Sequence, residues 1–279
     1  MAAYYNELDP YAVGWLQNLE AGGHVASGLV DARSILDVRP DDVRSWSQAH
    51  FFAGLGGWSH ALQLAGWPDD KPVWTGSCPC QPFSQSGRKR GFDDERHLWP
   101  EWFRLIRECK PPILFGEQVA NADGLQWFDL VQADLESAGY AVGAADLCAA
   151  GVGAPHLRQR LYFVAVYDGK GSLGNADGSR LEGSGRGQDD QARREEPFGR
   201  SAPDAGGQGD RPRRSGFWDD AIWIPCTDGK ARPVGPGVQP LAHGVPARVG
   251  KLRSAGNAIV PQVAATFIRA TMQVVRRKS

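Results

Sequence analysis

Short apolar runs alternate with amphipathic helical patterns along the first 167 residues, and this alternation restricts the fold more than any other feature of the sequence. The apolar runs are rich in β-branched and aromatic residues, as buried strands are. They read VWTGSCPC (73–80), PPILFGEQV (111–119), AVGAADL (141–147) and RLYFVAV (160–166). Apolar residues at helical spacing occupy 97–110 and 124–139. Strands that alternate with helices predict an α/β fold with a mostly parallel sheet.

A glycine-rich turn interrupts the segment SQAHFFAGLGGWSHALQLAGW, residues 47–67. The segment predicts a short strand, a turn at Gly54, Gly56 and Gly57, and then an amphipathic helix. Such a turn lets backbone amides and a helix N-terminus approach a ligand closely, and ligands of parallel sheets bind at the carboxyl ends of the strands. This turn, Cys80 and Glu117 all follow predicted strands, so we expect them to share one edge of the sheet.

Cys80 lies in the run GSCPCQPFS, between Pro79 and Gln81. Each proline fixes its own φ and disfavours helix in the residue before it, so the thiol is held on an extended backbone. This setting favours a presented nucleophile. A metal or disulfide pair formed with Cys78 is the alternative interpretation.

Composition restricts the setting in which the chain works. Its five cysteines lack the density and paired spacing of a disulfide scaffold or a zinc site, and His50, His60 and His243 form no metal pattern. No apolar run approaches the roughly 20 residues that span a bilayer, and the polar opening MAAYYNELDPY has no secretory core. We therefore expect a cytoplasmic protein without a metal and without a membrane anchor.

Charge and composition divide the chain into three parts. Residues 1–167 carry 13 Lys and Arg against 20 Asp and Glu, whereas residues 217–279 carry 9 against 3. A basic C-terminal part is suited to phosphates. Residues 168–216 contain 12 glycines and few large apolar groups, which predicts a flexible, low-complexity insert, with order resuming at 217–226.

Five segments, in this order, resemble the motifs of the DNA cytosine-C5 methyltransferases: FFAGLGGWS, GSCPCQPFS, FGEQV, APHLRQRLYFVAV and GNAIVPQVA. The resemblance covers residues 51–167 and 243–279. It implies a Rossmann-like, S-adenosylmethionine-dependent methyltransferase sheet with a small, partly disordered target-recognition insert. The implied organisation is a catalytic domain at 1–167, the recognition insert at 168–242, and a C-terminal motif and helix at 243–279 that complete the catalytic domain.

The same resemblance implies roles for individual residues. Cys80 is the implied nucleophile and Glu117 the acid, with Arg158 and Arg160 beside them. The implied contacts to S-adenosylmethionine are Phe52, Gly54, Gly56, Gly57, Pro79, Asn257 and Ala258. Two positions depart from the family pattern, because Gln118 replaces an asparagine and His156 replaces a glutamine.

Motif order departs more strongly from the family. Only PDDKPVW separates Trp67 from Thr75, where the family has two further strand-helix units. The segment NELDPYAVGWLQNL (6–19) resembles the missing second motif, in which Glu7 is the implied ribose-binding acid. RSILDVRPDDV (33–43) resembles the third, with Ser34 in the place of an acid. We therefore expect the motif order second, third, first, fourth, with Glu7 close to the Gly54 turn; an unrelated N-terminal helix is the alternative.

The substrate implied by the resemblance is cytosine in double-stranded DNA, methylated by a monomeric enzyme of a bacterium or bacteriophage. The implied DNA contacts are Gln81, Ser84, Arg88, Lys89 and Arg90. Two other functions stay open on the sequence alone. One is RNA cytosine methylation, and the other is a DNA-binding pseudoenzyme, which the departures at Gln118 and Ser34 suggest.

Overall fold

The structure is a computed structural model that describes residues 2–79, 98–154, 156–168, 222–225, 231–234 and 256–276, all within one compact unit. Its strands are β1 (Ala3–Asn6), β2 (Gly28–Asp31), β3 (Gln48–Phe51), β4 (Val73–Gly76), β5 (Ile113–Val119), β6 (Tyr140–Cys148), β7 (Gln159–Tyr167), β8 (Ile222–Pro225) and β9 (Ala231–Val234). Its helices are α1 (Pro10–Ala21), α2 (Pro40–Val43), α3 (Gly57–Ala65), α4 (Trp99–Cys109), α5 (Ala122–Ser137) and α6 (Pro261–Arg276), with 3₁₀ turns at Ile35–Asp37 and Ala149–Val152.

Seven strands form one sheet in the order β2-β1-β3-β4-β5-β7-β6. The pairs from β2 to β5 are parallel, and β7 runs antiparallel to both β5 and β6. Strands β8 and β9 form a separate antiparallel pair. The prediction of an α/β fold with a mostly parallel sheet is confirmed.

Sheet topology also confirms the expected motif order. The first two strands of the chain lie on one side of β3, which carries the glycine turn, and β4 lies on its other side. The register pairs Asn6 with Phe51, so the segments that follow β1 and β3 leave the sheet at the same level. The strands on this side of the glycine turn therefore precede, in the sequence, the strand that carries the turn.

Strand β4 is shorter than the sequence predicts. It ends at Gly76, whose partner in β5 is Gly116, whereas the predicted strand extends to position 80. Strand β5 continues to Val119, and its last three residues pair only with β7. This difference in length creates a step in the sheet edge, with Glu117 just beyond the end of β4.

Two apolar clusters attach helices to the two faces of the sheet. One cluster joins Phe51 and Trp74 to tryptophans of α4 and α5, namely Trp99, Trp102 and Trp127, which are at most 1% exposed. Their burial agrees with the helical spacing of apolar residues at 97–110 and 124–139. The other cluster joins Phe115 and Tyr162 to α3 and α6. No helix within the described ranges is long and apolar enough to cross a membrane.

Candidate active site

A cavity of about 450 Å³ opens at the carboxyl ends of β1, β3 and β4. The loops after these strands and after β2 contribute most of its lining, and the segment before α6 closes one side. The lining residues are Asn6, Glu7, Leu8, Asp9, Ala12, Ser34, Ile35, Phe52, Ala53, Gly54, Leu55, Gly57, Trp58, Ser77, Pro79, Leu98, Asn257, Ala258 and Ile259. This volume falls in the range of small-molecule and cofactor sites, about 300–1,000 Å³.

The glycine turn has the tight geometry that its sequence predicts. Gly54 and Gly56 have φ values of 54° and 73°, in the left-handed region that favours glycine. A Cβ atom on Gly57 would lie 2.8 Å from Ile259 Cγ1, so the absent side chain lets the C-terminal segment pack against the turn. Phe52, with φ 51°, is a rare non-glycine residue in the same region, which makes it a strained position at the cavity wall.

Glu7 lies beside this turn, as expected from the sequence. Its Oε2 accepts a hydrogen bond from the backbone N–H of Gly54 at 2.7 Å, across 47 residues of chain. Its Oε1 accepts from the N–H of Asp9 at 2.8 Å, and Asp9 in turn caps α1. The expectation that Glu7 and the Gly54 turn meet in space is confirmed, and the carboxylate faces the cavity from the end of β1.

Asn6 connects Glu7 to the loop that carries Ser34. Its buried amide donates to the Arg33 carbonyl at 2.8 Å, immediately before Ser34. The Ser34 hydroxyl lines the cavity and accepts from the Leu36 N–H at 3.3 Å. An ion pair between the buried Asp31 and the half-exposed Arg33, 2.6 Å apart, anchors the same loop. The hydroxyl of Ser34, which stands where the third motif of the family has an acid, is therefore held at the cavity by these contacts.

Glu117 and Arg160 form an ion pair on the step beyond β4. Arg160 Nε lies 2.8 Å from Glu117 Oε1, and the Glu117 side chain is only 8% exposed. Burial raises the pKa of Glu117, while the charge of Arg160 and a hydrogen bond with Ser77 act in the opposite direction. A buried carboxyl group with a raised pKa is suited to hold and deliver a proton.

Arg158 points to a different partner from Arg160. Its Nη2 donates to the carbonyl of Ala258 at 2.5 Å and so ties the start of β7 to the segment before α6. Its buried Nε has no hydrogen-bond partner in the described part of the chain. Sequence reasoning assigned one shared role to the two arginines, and the structure gives them different contacts.

Gln118 connects the end of β5 to the segment that leads to Cys80. The side chain is buried, and its amide donates to the Cys78 carbonyl at 3.1 Å. Its oxygen accepts from the N–H of Val119 at 2.9 Å. The longer amide at this position therefore holds the backbone one residue before Pro79.

Several predicted residues lie outside the described residues, namely Cys80, Gln81, Ser84, Arg88, Lys89 and Arg90. Pro79 is described, and it lines the cavity directly before Cys80. Every predicted cofactor contact except Gly56 lines the cavity. Within the described ranges, no group of three or more His, Cys, Asp or Glu side chains is arranged to hold a metal ion.

Sequence reasoning missed part of the cavity lining. The missed large apolar residues are Leu8, Ile35, Leu55, Trp58, Leu98 and Ile259. Leu8 is 62% exposed. Its position next to Glu7 indicates a role in the cavity only once the cavity itself is known. Ser77 was also missed, although it lies in the same run as Cys80.

Part of the chain is similar to known proteins. Residues 67–180 match the family model for C-5 cytosine-specific DNA methylases. The matched segment is less than half of the chain and is similar to the DNA cytosine-C5 methyltransferases. The chain is 36% identical to the Type II methyltransferase M.SacI of Streptomyces achromogenes over 114 residues, 37% of this chain and 28% of the relative. It is 38% identical to M1.ScrFI of Lactococcus lactis subsp. cremoris over 99 residues, 34% of this chain and 25% of the relative.

The chain thus matches less than a third of the length of these two relatives. Among solved structures, a DNMT2 mutant of Spodoptera frugiperda aligns with 59% of this chain and 42% of its own, with 17% identity and a TM-score of 0.41.

Proposed function

We propose that this protein is a DNA (cytosine-5-)-methyltransferase that methylates C5 of a cytosine through a covalent adduct at Cys80. The observation that carries the proposal is the meeting of two sites at the end of β4. The cavity reaches Ser77 and Pro79, and the buried Glu117 directly follows Gly116, the partner of Gly76 at the end of β4. A cofactor site, a buried acid and the segment that leads to a cysteine therefore adjoin each other.

The cavity suits S-adenosylmethionine in both size and polarity. Glu7 faces it with a carboxylate that has lone pairs left for ribose hydroxyls, and the turn at Gly54 offers backbone amides. Apolar side chains of Leu8, Ile35 and Trp58 supply flat or aliphatic walls for a purine ring. S-adenosylmethionine, when bound, supplies the methyl group. Asn257 and Ala258 are the proposed contacts on the side toward α6.

The chemistry of the protein side follows from the weak nucleophilicity of cytosine C5. In this mechanism the Cys80 thiolate forms a bond to C6, which activates C5. Glu117 gives its proton to N3 as that bond forms, so the electron density pushed into the ring is neutralised. After methylation a base takes the C5 hydrogen as a proton, the Cys80–C6 bond breaks to restore the thiolate, and N3 returns its proton to Glu117.

The two arginines have separate proposed roles. Arg160 holds the Glu117 carboxyl group in place and offers a guanidinium near the base carbonyl. Arg158 secures the segment around Ala258, and its unpartnered Nε is a donor available at the site. Nearby cations also lower the pKa of a thiol, which favours the Cys80 thiolate.

DNA recognition is assigned to parts outside the described residues. A duplex conceals C6, so the target cytosine has to be flipped into the site. We propose that Gln81, Ser84 and the basic trio Arg88, Lys89 and Arg90 contact the DNA, and that residues 168–242 read the target sequence. We further propose a cytoplasmic monomer that acts on double-stranded DNA, in a Type II restriction-modification setting like that named for its relatives.

A covalent trap tests the proposal directly. A DNA fragment that contains 5-fluorocytosine in place of cytosine keeps the Cys80–C6 bond, because C5 then carries fluorine and has no hydrogen to lose as a proton. The purified protein with S-adenosylmethionine should give a denaturation-resistant protein–DNA band that Cys80→Ala lacks. A band only with 5-fluorocytosine RNA would favour an RNA methyltransferase. DNA binding without any covalent band would favour a pseudoenzyme.

A further inference from the structure

The three residues between the end of β4 and Cys80 are held on both faces of the sheet. The Oγ of Ser77 accepts a hydrogen bond from the indole N–H of Trp58 at 3.1 Å. Trp58 belongs to the apolar cluster of α3 and α6, and its ring also lines the cofactor cavity. The Cys78 side chain is 3% exposed and belongs to the other cluster, with the tryptophans of α4 and α5.

Gln118 holds the backbone of the same segment. Its amide donates to the Cys78 carbonyl at 3.1 Å, and its oxygen accepts from the Val119 N–H at 2.9 Å. A backbone carbonyl only accepts and a backbone N–H only donates, so these two contacts fix the orientation of the amide. Gln118 is buried, so the contact to Cys78 is shielded from water.

Fixing the Cys78 carbonyl restricts the position of Cys80 through Pro79. The carbonyl and the Pro79 nitrogen lie in one planar peptide group, and the proline ring locks φ of Pro79. Only the ψ rotation of Pro79 then separates the held peptide group from the peptide group that leads to Cys80. A hydrogen bond two residues before the thiol therefore limits where the thiol can lie.

We propose that Gln118 and Trp58 are positioning residues for the proposed nucleophile: they hold the Ser77–Pro79 segment, one from the side of the buried acid and one from the side of the cofactor cavity, so that Cys80 is presented at the site. This inference rests on the proposed role of Cys80. Neither residue exchanges a proton or forms a bond with the substrate. Gln118, a departure from the family pattern, then supports the reaction in this chain.

Single-turnover methyl transfer to unmethylated bacterial DNA, with the full-length protein in excess and S-adenosylmethionine saturating, tests the role of Gln118. Gln118→Met keeps an unbranched buried side chain of similar length but removes the amide. We expect its transfer rate to fall about tenfold or more, because small misplacements of a reacting group have large kinetic effects. Its affinity for S-adenosylhomocysteine, measured by calorimetry, should stay unchanged, since Gln118 does not line the cavity.

Gln132→Met is the matched control, because the Gln132 amide bonds Glu136 within α5. It should change neither the rate nor the affinity. A transfer rate in Gln118→Met equal to that of the unmodified protein would overturn the proposal. Failure of the proposed function is distinguishable, since the unmodified protein itself would then transfer no methyl group.

Trp58→Phe and Trp67→Phe form a second matched pair. Both indoles pack against Phe115, and each donates its N–H at 3.1 Å, Trp58 to Ser77 and Trp67 to the Lys71 carbonyl. Both variants should lower the melting temperature. Only Trp58→Phe should also lower the single-turnover rate at saturating cofactor, and equal rates in the two variants would contradict the positioning role of Trp58.

An NMR measurement reports on the held carbonyl without turnover. Cys78–Pro79 is the only Cys-Pro pair in the sequence, so cysteine labelled with ¹³C at the carbonyl and proline labelled with ¹⁵N give it a unique coupled signal. Loss of a hydrogen-bond donor returns electron density to the carbonyl carbon. The signal should therefore move upfield in Gln118→Met and stay in place in Gln132→Met. An unmoved signal in Gln118→Met would overturn the proposal.

Discussion

Glu7 is the residue that most directly links the N-terminal segment to the cofactor site. Both of its oxygens accept backbone N–H groups, one from the Gly54 turn and one from Asp9. A carboxylate does this without conflict because it carries only acceptors. In Glu7→Gln one acceptor becomes an NH₂ group, which faces a backbone donor and cannot bond to it.

Glu7→Gln should therefore weaken binding of S-adenosylhomocysteine about tenfold or more, the usual consequence of losing a charge-assisted hydrogen bond. Isothermal titration calorimetry measures this change. Glu20→Gln is the matched control, because Glu20 bonds Ser27 on the exposed side of α1 and does not line the cavity. Equal affinities for the two variants would contradict the assigned role of Glu7.

Glu117 should leave a signature in the pH dependence of stability. Burial raises its pKa in the folded protein above the ordinary glutamate value of about 4.3. Between these two pKa values the folded state binds more protons than the unfolded state. The free energy of unfolding therefore falls as pH rises through this range. Above the folded pKa the full cost of the buried carboxylate is present.

Glu117→Gln removes this titration. The free energy of unfolding of the variant, relative to the unmodified protein, should increase as pH rises from about 4 through the folded pKa of Glu117. Urea unfolding at a series of pH values measures the difference, with Glu20→Gln as the surface control. A difference that stays constant with pH would contradict the raised pKa.

At the scale of elements, the glycine turn and α1 contain glycines that differ in whether the local structure requires glycine. Gly56 has φ 73°, and a Cβ atom there would meet Val25 Cγ1 at 2.9 Å. Gly14 lies inside α1 with no atom within 4 Å of its Cβ position. The first position therefore requires glycine, whereas the second does not.

Gly56→Ala should reduce the free energy of unfolding by about 1–3 kcal/mol, from left-handed backbone strain and the contact with Val25. Gly14→Ala should raise it by up to about 1 kcal/mol, because alanine favours a helix interior. Urea denaturation compares them. Destabilisation of similar size in both variants would show that the turn geometry does not set the difference.

The elements also show what sequence reasoning could reach. Apolar runs predicted β5, β6 and β7, and helical spacing predicted α4 and α5, because these signals depend on neighbours in the chain. The early end of β4 was not predicted, since it depends on pairing with β5. The contact of Trp58 with Ser77 was missed for the same reason: it joins α3 to the end of β4 through the register of the sheet.

At the scale of the whole molecule, the transposed motif order still gives a single proposed cofactor site. Strands β1 and β2 lie on one side of β3, with β1 paired to it, although both precede β3 in the chain. The motif order could be inferred from the sequence because the segments around Glu7 and Ser34 resemble the second and third motifs of the family. The target sequence could not be inferred, because the proposed recognition part, residues 168–242, has no readable pattern of base contacts.

Removing residues 172–216 tests whether cofactor binding and target recognition depend on different parts of the chain. The cavity residues that the structure describes all lie outside that segment, so the shortened protein should bind S-adenosylhomocysteine with unchanged affinity. It should lose discrimination between DNA sequences, because the proposed recognition part is interrupted. Calorimetry and sequencing of methylated DNA measure the two properties. Retained sequence preference would place recognition elsewhere in the chain.

The most direct measurement is bisulfite sequencing of plasmid DNA from a bacterial host that lacks cytosine methylation and expresses this protein. Expression of the unmodified chain should protect cytosines within one recurring sequence, and Cys80→Ser, expressed to the same level, should protect none. Soluble protein that leaves every cytosine unprotected, or protection that persists in Cys80→Ser, would contradict methylation of DNA through Cys80.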